Sequence, residues 1–260
     1  MDASLSLSCA CYCKIGKVRT NNEDNIFFGG KCLEEQNTGL KKPAVFQADL
    51  SSGSVCLGVF DGMGGEDYGE VASYTAARTM REEAARLSEY IIPEHTFLLE
   101  SINKMNEAVY AAAVAHGTER MGSTAAMLLF SSQEVYACNI GDSKVFRLRN
   151  GVFLQLSQDH TDEAFLLANG ITNRRPRLTQ HLGINPEELQ IQPYIAKGDL
   201  LPGDQYLICS DGLTDMVSNF DICNTMLVYP SAEKCVERLM RNAMSAGGKD
   251  NTTIIVICVK

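Results

Sequence analysis

The sequence of 260 residues has little positive charge and no long apolar run. Its 23 Lys and Arg residues stand against 32 Asp and Glu residues, which gives a formal net charge of -9. Nucleic acids and anionic membranes both favour a basic protein face, so neither is expected as the main partner. No apolar stretch approaches the roughly 18 residues of a membrane span. The first residues, MDASLSLSCACYC, lack the regions of a signal peptide, and we expect a cytoplasmic protein.

Cysteine and histidine patterns typical of metal or disulfide frameworks are also missing. None of the ten cysteines forms a C-x-x-C pair, and the four histidines, at positions 95, 116, 160 and 181, do not cluster with them. A zinc site and a disulfide framework are therefore not expected. Cys9, Cys11 and Cys13 alternate with Ala10 and Tyr12 at the period of a half-buried strand. This pattern predicts small core residues in a reducing compartment.

The order of predicted elements indicates one α+β domain over residues 1–260. Hydrophobic residues make up 45% of the chain, and no repeat, low-complexity segment or linker divides it. Strand patterns occur at 4–13, 24–29, 54–60, 123–130, 133–140, 143–149, 152–156, 188–196, 205–210 and 252–259. Helical patterns occur at 66–89, 94–116, 219–228 and 231–246. Hairpin-connected strands with paired helices near each end predict two sheets packed face to face and covered by helices, rather than a βαβ repeat.

Acidic residues stand at the ends of several predicted strands. Asp61 ends the apolar run in VFDGMGG, Asp211 follows QYLICS, Asp250 precedes the strand of 252–259, and Glu23 and Asp24 open another. A buried carboxylate is costly unless it is paired or bound to a cation. Oxygen ligands without histidine or thiolate favour Mg²⁺ or Mn²⁺. Because a single Asp-Gly is more commonly a turn, the prediction of a metal site depends on the joint occurrence of these segments.

The acidic residues belong to a series of short segments along almost the whole chain. These segments are Arg19-Thr20-Asn21-Asn22-Glu23-Asp24, Asp61-Gly62-Met63-Gly64-Gly65, Gly122-Ser123-Thr124-Ala125, Gly141-Asp142-Ser143, Asp159-His160, Ser210-Asp211-Gly212 and Asp250-Asn251. In order and spacing they resemble the metal-dependent protein serine/threonine phosphatases of the type 2C (PPM) family, in its compact bacterial form. The resemblance implies a four-layer α-β-β-α sandwich of two antiparallel sheets flanked by helices. It also implies phosphorylated proteins as substrates, in opposition to a serine/threonine kinase.

The resemblance further implies the arrangement of a binuclear site. Asp61 would bridge two Mn²⁺ or Mg²⁺ ions, and the Gly62 carbonyl, Asp211 and Asp250 would complete their direct ligation. Two such ions can activate a water at neutral pH and stabilise charge on the phosphoryl group. The implied reaction is direct attack of that water on phosphorus, without a phosphoenzyme.

Other residues of these motifs would have supporting roles in the same resemblance. Glu23 and Asp24 would ligate or hold metal-bound waters, and Asp142 would join Asp211 at a weaker third metal. Met63 stands where eukaryotic members often carry a histidine that protonates the leaving group. The general acid is therefore unassigned, with metal-bound water as the default. Two histidines remain open for this role, His160 and His181, although Asp159-His160 is interpreted mainly as a loop anchor.

Basic residues near the predicted site have two interpretations each. Arg19 could form an ordinary surface ion pair, worth about 0–1 kcal/mol. Alternatively, it could bind the substrate phosphate, as the family implies, because its planar guanidinium donates two parallel hydrogen bonds. Segment 161–187, expected to be the most mobile and flap-like part, contains Arg174, Arg175 and Arg177. This run is either a solvated loop or a patch that steers phosphorylated protein.

Two other functions remain open from the sequence. One is a non-catalytic member that binds phosphoproteins, although such a protein would be expected to lose metal carboxylates, and Asp61, Asp211 and Asp250 are all present. The other is a metal-dependent hydrolase of a small phosphate ester, which would share the site and differ in substrate.

Overall fold

The computed structural model describes residues 5–63, 68–87 and 92–260. Its strands are β1 (Ser6–Lys14), β2 (Asp24–Phe27), β3 (Ala44–Asp49), β4 (Val55–Met63), β5 (Gly122–Ser123), β6 (Ala125–Phe130), β7 (Glu134–Ile140), β8 (Lys144–Arg149), β9 (Val152–Gln155), β10 (Tyr194–Asp199), β11 (Gln205–Cys209) and β12 (Thr252–Val259). Its helices are α1 (Gly69–Arg86), α2 (Glu94–Ala115), α3 (Glu163–Ala168), α4 (Asp211–Thr214), α5 (Asn219–Val228) and α6 (Ala232–Ser245).

The strands form two antiparallel sheets. Sheet I has the order β3-β1-β12-β11-β8-β9, and sheet II has the order β10-β7-β6-β4-β2, with β5 beside β4. β1 and β12 pair in register from Leu7, opposite Val259, to Lys14, opposite Thr252. The first and last strands of the described chain are therefore neighbours inside sheet I.

Three apolar cores separate four layers. Side chains of a strand alternate between its two faces. In β12, Ile255 and Ile257 pack in the core between the sheets, whereas Ile254 and Val256 pack under α5 and α6. The third core lies between sheet II and the pair α1 and α2, where Met127 of β6 meets residues of both helices. The expected four-layer α-β-β-α sandwich of two antiparallel sheets is thus confirmed.

The long helices begin and end close to the predicted positions. Pro93 directly precedes α2, and Gly247 and Gly248, both with positive φ, follow α6. α6 buries residues three and four apart on one face, as an amphipathic helix should. These residues are Ala232, Cys235, Val236, Leu239, Met240 and Ala243. The predicted positions 4, 66, 67, 88 and 89, together with Gly64 and Gly65, lie outside the described residues.

Several elements differ from the prediction. β3, α3 and α4 were not expected, and β10 lies at Tyr194–Asp199 instead of 188–196. β3 is an edge strand that alternates only between partly and fully exposed residues, and its exposed face carries the apolar Val45, so the sequence shows no clear apolar alternation. α3 and α4 have six and four residues, which is too short for a helical period. The predicted strand of 188–196 begins too early, because the paired region begins at Tyr194.

All ten cysteines lie in the described residues and are free thiols. Most are buried, and burial raises the pKa of Cys56 and Cys209 to about 12, so these thiols stay protonated. None of the helices within residues 5–63, 68–87 and 92–260 has the length and apolar character needed to cross a membrane.

Candidate active site

The acidic strand ends of both sheets meet around one cavity of about 320 Å³. The cavity lies where β4 ends and where β12 and α4 begin. Its lining residues are Arg19, Glu23, Asp61, Gly62, Met63, Thr124, Asp142, Leu178, Asp211, Asp250 and Asn251. Six of the seven predicted metal-site residues therefore line one cavity. The seventh, Asp24, is 1% exposed and is not among the lining residues.

Asp24 and Asp61 are directly opposite each other on neighbouring strands. Their Cα atoms are partners in the β2–β4 register. The Asp24 carboxylate accepts bonds at Oδ2 from Ser210 Oγ at 2.8 Å and Thr253 Oγ1 at 2.6 Å. The Asp61 backbone is held by Thr124, whose N–H donates to the Asp61 carbonyl at 2.8 Å. The hydrogen-bond ladder thus fixes two carboxylates side by side at the edge of the cavity.

Two glycines allow a close approach of the backbone in this region. A Cβ atom at Gly62 would lie 2.0 Å from the Gly69 carbonyl oxygen and 2.6 Å from that of Glu23. A Cβ atom at Gly212 would lie 1.9 Å from the Asn251 carbonyl oxygen. These distances are shorter than any real contact, so both positions require glycine. The glycines let Asp61 and Asp211 enter the site from tightly packed chain segments.

The carboxylates are electrostatically strained without a cation. Burial raises the pKa of Asp61 well above its ordinary range, and the charges of Asp24, Asp211, Asp142 and Asp250 raise it further. Burial, followed by the charge of Asp142, raises the pKa of Asp211 to about 7. Burial also raises the pKa of Asp24 to about 7, against the effect of its two hydroxyl donors. A divalent cation would reverse the sign of these interactions.

Arg19 contacts the site through Asp250. Its Nη2 donates to Asp250 Oδ2 at 2.7 Å, and this bond raises the pKa of Arg19. The Arg19 side chain is 50% exposed, and it is the one basic residue among the described residues that line the cavity. Both interpretations of Arg19 remain compatible with this geometry, because the pair is exposed and the guanidinium also lines the cavity.

Asn251 ties the start of β12 to the loop between β1 and β2, a role that the sequence did not indicate. Its Oδ1 accepts the Glu23 N–H at 2.8 Å, and its Nδ2 donates to the carbonyls of Asn21 at 2.8 Å and Ile15 at 2.9 Å. Asn251 therefore fixes the loop that carries both Arg19 and Glu23. Thr124 and Leu178 also line the cavity without having been predicted to do so.

Asp142 lies in a loop that His160 anchors. The Gly141 N–H donates to His160 Nδ1 at 3.2 Å, and the His160 N–H donates to the Gly141 carbonyl at 3.0 Å. Burial lowers the pKa of His160, so the ring is neutral near pH 7 and can accept this bond. Lys144 donates to the Asp142 carbonyl and to Asp159. Of the described residues, no histidine lines the cavity, whereas Met63 does.

The segment 161–187 contributes Leu178 to the cavity wall, while its arginines lie outside the lining. Asp162 closes the segment on itself, because its carboxylate accepts from Arg174 Nη2 at 2.5 Å and from the Arg177 N–H at 2.8 Å. Arg175 lies 3.7 Å from Asp215 and its side chain is 85% exposed. The predicted basic run is therefore partly engaged at Arg174 and free to meet solvent at Arg175.

The donor set of the cavity fits a hard divalent cation. Its ligand atoms are carboxylate and carbonyl oxygens, which suit Mg²⁺ and Mn²⁺. The buried Asp24 Oδ1 has no hydrogen-bond partner, as expected of an oxygen kept for a cation or its water. Within the described residues, no three Asp, Glu, His or Cys side chains already form a metal-binding group.

Comparisons with known proteins agree with this geometry. A family model described as Protein phosphatase 2C matches residues 44–250. The serine/threonine phosphatase stp of Listeria innocua is 28% identical over 253 residues, covering 93% of this chain and 92% of that protein. The serine/threonine protein phosphatase PstP of Mycobacterium tuberculosis is 29% identical over 249 residues, and the match covers 93% of this chain but 43% of PstP. A solved structure of the PstP catalytic domain in complex with two manganese ions has a TM-score of 0.77 and 28% identity, and the match covers 98% of this chain and 99% of that one.

Proposed function

This chain belongs to the protein phosphatase 2C family, and on that premise we propose that it hydrolyses phosphoserine and phosphothreonine in proteins with the help of two Mn²⁺ or Mg²⁺ ions. The observation that carries the proposal is the cavity in which five carboxylates surround a single arginine. These carboxylates belong to Glu23, Asp61, Asp142, Asp211 and Asp250. The proposed substrates are phosphoproteins that a serine/threonine kinase produces in the cytoplasm.

The acidic residues divide into direct and indirect ligands in this proposal. Asp61, Asp211, Asp250 and the Gly62 carbonyl would hold the two ions directly. When bound, the ions supply an activated water and neutralise charge on the phosphoryl group. Glu23 and Asp24 would ligate the ions or hold water beside them, and Asp142 would support a weaker third ion together with Asp211.

Arg19 binds the substrate phosphate in this proposal. Its guanidinium is already oriented by Asp250 at the rim of the cavity. The planar guanidinium can donate two parallel hydrogen bonds to a bound phosphate. Arg19 can therefore exchange its contact with one oxygen of Asp250 for a contact with the substrate. Because the arginine keeps its charge at any physiological pH, this interaction does not titrate.

Hydrolysis of a phosphothreonine peptide, with and without Mn²⁺, tests the proposal most directly. We expect turnover with the metal and none after chelation, with phosphate released without a lasting phosphoenzyme. Binding of the phosphopeptide without turnover would indicate a phosphoprotein-binding regulator. Turnover of a small aryl phosphate with a much higher kcat/KM than the peptide would indicate a small-ester hydrolase.

A further inference from the structure

The Asp24 carboxylate is held by one oxygen alone. Ser210 and Thr253 both donate to Oδ2, whereas Oδ1 has no partner although Asp24 is 1% exposed. An ionised carboxylate has room for about four hydrogen bonds, and a buried one that leaves half of them unused is costly. The one-sided bonding therefore needs an explanation beyond the stability of the fold.

The two hydroxyls form one rigid unit. The Thr253 N–H donates to Ser210 Oγ at 3.0 Å, and the Ser210 N–H donates to the Thr253 carbonyl at 3.1 Å. Both residues are fully buried. With its acceptor position occupied by the Thr253 N–H, the Ser210 hydroxyl is directed to Asp24, and backbone pairing keeps both donors on the same oxygen.

Two further buried side chains orient the Thr253 hydroxyl. Cys13 Sγ lies 3.1 Å from Thr253 Oγ1, and Asn22 Nδ2 donates to Cys13 Sγ at 3.3 Å. The hydroxyl has one proton, and the shorter contact of 2.6 Å to a carboxylate takes it. The thiol proton of Cys13 can then point to Thr253 Oγ1, so that Asn22, Cys13 and Thr253 donate in one direction towards Asp24.

We propose that Ser210 and Thr253 are positioning residues that hold Asp24 by Oδ2, so that Oδ1 is kept for a divalent cation or a water bound to it. Cys13 and Asn22 orient Thr253 from behind. The inference rests on the proposed metal-dependent phosphatase function and assigns to that site residues that do not line its cavity. Groups that orient metal ligands typically change metal affinity by about 10–100-fold when they are removed.

The test measures binding of Mn²⁺ alone by calorimetry, in parallel with thermal unfolding of the metal-free protein. Thr253→Val removes the hydroxyl and nearly keeps the shape, and we expect it to raise the Kd for Mn²⁺ by about 10-fold or more. Thr253→Ser keeps the hydroxyl and should bind Mn²⁺ almost as the wild type does. Ser210→Ala removes the other hydroxyl that donates to Asp24. Its Mn²⁺ affinity tests the inference if Thr253→Val does not fold.

Thr225→Val is the matched control. Thr225 is also a buried threonine, but its hydroxyl donates to the Asp221 carbonyl in α5, away from the cavity. We expect it to lower the unfolding temperature about as much as Thr253→Val does and to leave Mn²⁺ binding unchanged. Unchanged Mn²⁺ affinity in Thr253→Val and Ser210→Ala would overturn the inference, as would equal losses in Thr253→Val and Thr253→Ser. A wild-type protein that binds no Mn²⁺ would instead overturn the proposed function itself.

Discussion

Asp61 and Asp211 occupy positions that are unfavourable for a carboxylate until a cation is present. Burial and neighbouring negative charges raise the pKa of both. Neither can move away, since Asp61 is fixed by the strand register opposite Asp24 and Asp211 begins α4 against the Asn251 backbone. Perturbed carboxylates in a cavity are typical of functional sites. These residues therefore favour metal binding at the expense of the metal-free fold.

Removing one of these charges tests the proposed ligands. Asp211→Asn and Asp250→Asn nearly keep the side-chain shape, and we expect each to lower kcat for a phosphopeptide by orders of magnitude without unfolding the chain. Steady-state kinetics in Mn²⁺ and calorimetric Mn²⁺ binding are the measurements. Asp221→Asn, in α5, is a control that should leave both unchanged. Near wild-type rates with normal metal binding in both site variants would remove Asp211 and Asp250 from the site.

Arg19 can be separated from the metals by its own variant. Arg19→Ala should raise KM for the phosphopeptide while leaving Mn²⁺ binding intact, with some loss of kcat if the contact tightens in the transition state. Arg19→Lys keeps the charge but lacks the planar fork, so it should recover only part of the loss. Unchanged kinetics in Arg19→Ala would mean that the contact with Asp250 is a surface ion pair, worth about 0–1 kcal/mol.

The raised pKa values also predict how the metal-free protein responds to pH. Asp24 and Asp211 have a pKa of about 7 in the folded protein. When unfolding exposes them to water, the pKa returns to its ordinary value of 3.8. Between these values the folded protein binds more protons than the unfolded chain, so the free energy of unfolding from these groups falls as pH rises. In chelator, the unfolding temperature should decrease from about pH 4 to about pH 7 more steeply in the wild type than in Asp211→Asn. Equal slopes would contradict the shifted pKa of Asp211.

At the scale of elements, segment 161–187 combines a closed loop with an exposed basic group. The bonds from Arg174 and from the Arg177 backbone to Asp162 hold the loop that ends at Leu178 in the cavity wall. Arg175 points to solvent near Asp215. Replacing all three arginines would thus remove a structural contact together with any steering charge, and the two effects need separate variants.

We expect the triple change of Arg174, Arg175 and Arg177 to alanine to lower kcat/KM for an acidic phosphopeptide, while a small aryl phosphate is turned over almost as before. If charge steers the substrate, the double variant R175A/R177A should show most of that loss in kcat/KM for the phosphopeptide. The wild-type advantage should shrink with salt, because charges are screened over about 8–10 Å at ordinary ionic strength. Arg174→Ala alone is the control for loop structure. Equal loss of both substrates would indicate a structural role, and no loss would leave a solvated loop.

The elements that could be predicted from sequence are those with a clear apolar pattern. α6 buries residues three and four apart, β12 is apolar without interruption from Ile254 to Val259, and both were predicted within two residues. β3 has no buried residue and carries Val45 on its exposed face, and α3 and α4 are too short to show a helical period. Their positions depend on the tertiary structure, since β3 pairs with β1 and α4 packs on β12.

The charged residues of the candidate site could be predicted from the sequence. Carboxylates at strand ends are visible in a sequence because they interrupt apolar runs, as Asp61 and Asp211 do. The matched motifs include or adjoin Asn251, Ser210 and Thr253. Their hydrogen-bond partners, however, lie far away in the chain. Which oxygen of Asp24 they contact is a property of the packed sheets, and no spacing along the chain could reveal it.

At the scale of the whole molecule, bound metal should couple activity to stability. Activity should require Mn²⁺ or Mg²⁺ and disappear in chelator, because the proposed ligands are all oxygens. A ligand at about 100 times its Kd stabilises a protein by about 2.7 kcal/mol, so Mn²⁺ should also raise the unfolding temperature. Phosphatase assays and thermal scans with chelator, and with metal added back, measure both. Full activity after rigorous metal removal would refute the mechanism.

The pairing of β1 with β12 has a consequence for the protein while it is being synthesised. A ribosome releases β1 long before β12, so the centre of sheet I must stay open until β12 has emerged. Asp250 and Asn251 emerge at the same late moment, and until then the loop with Arg19 and Glu23 has no anchor. A nascent or prematurely terminated chain therefore lacks both a finished sheet and a finished cavity. Translation errors of this kind would yield inactive chains with an exposed strand edge, which quality control can recognise, and not an unregulated phosphatase.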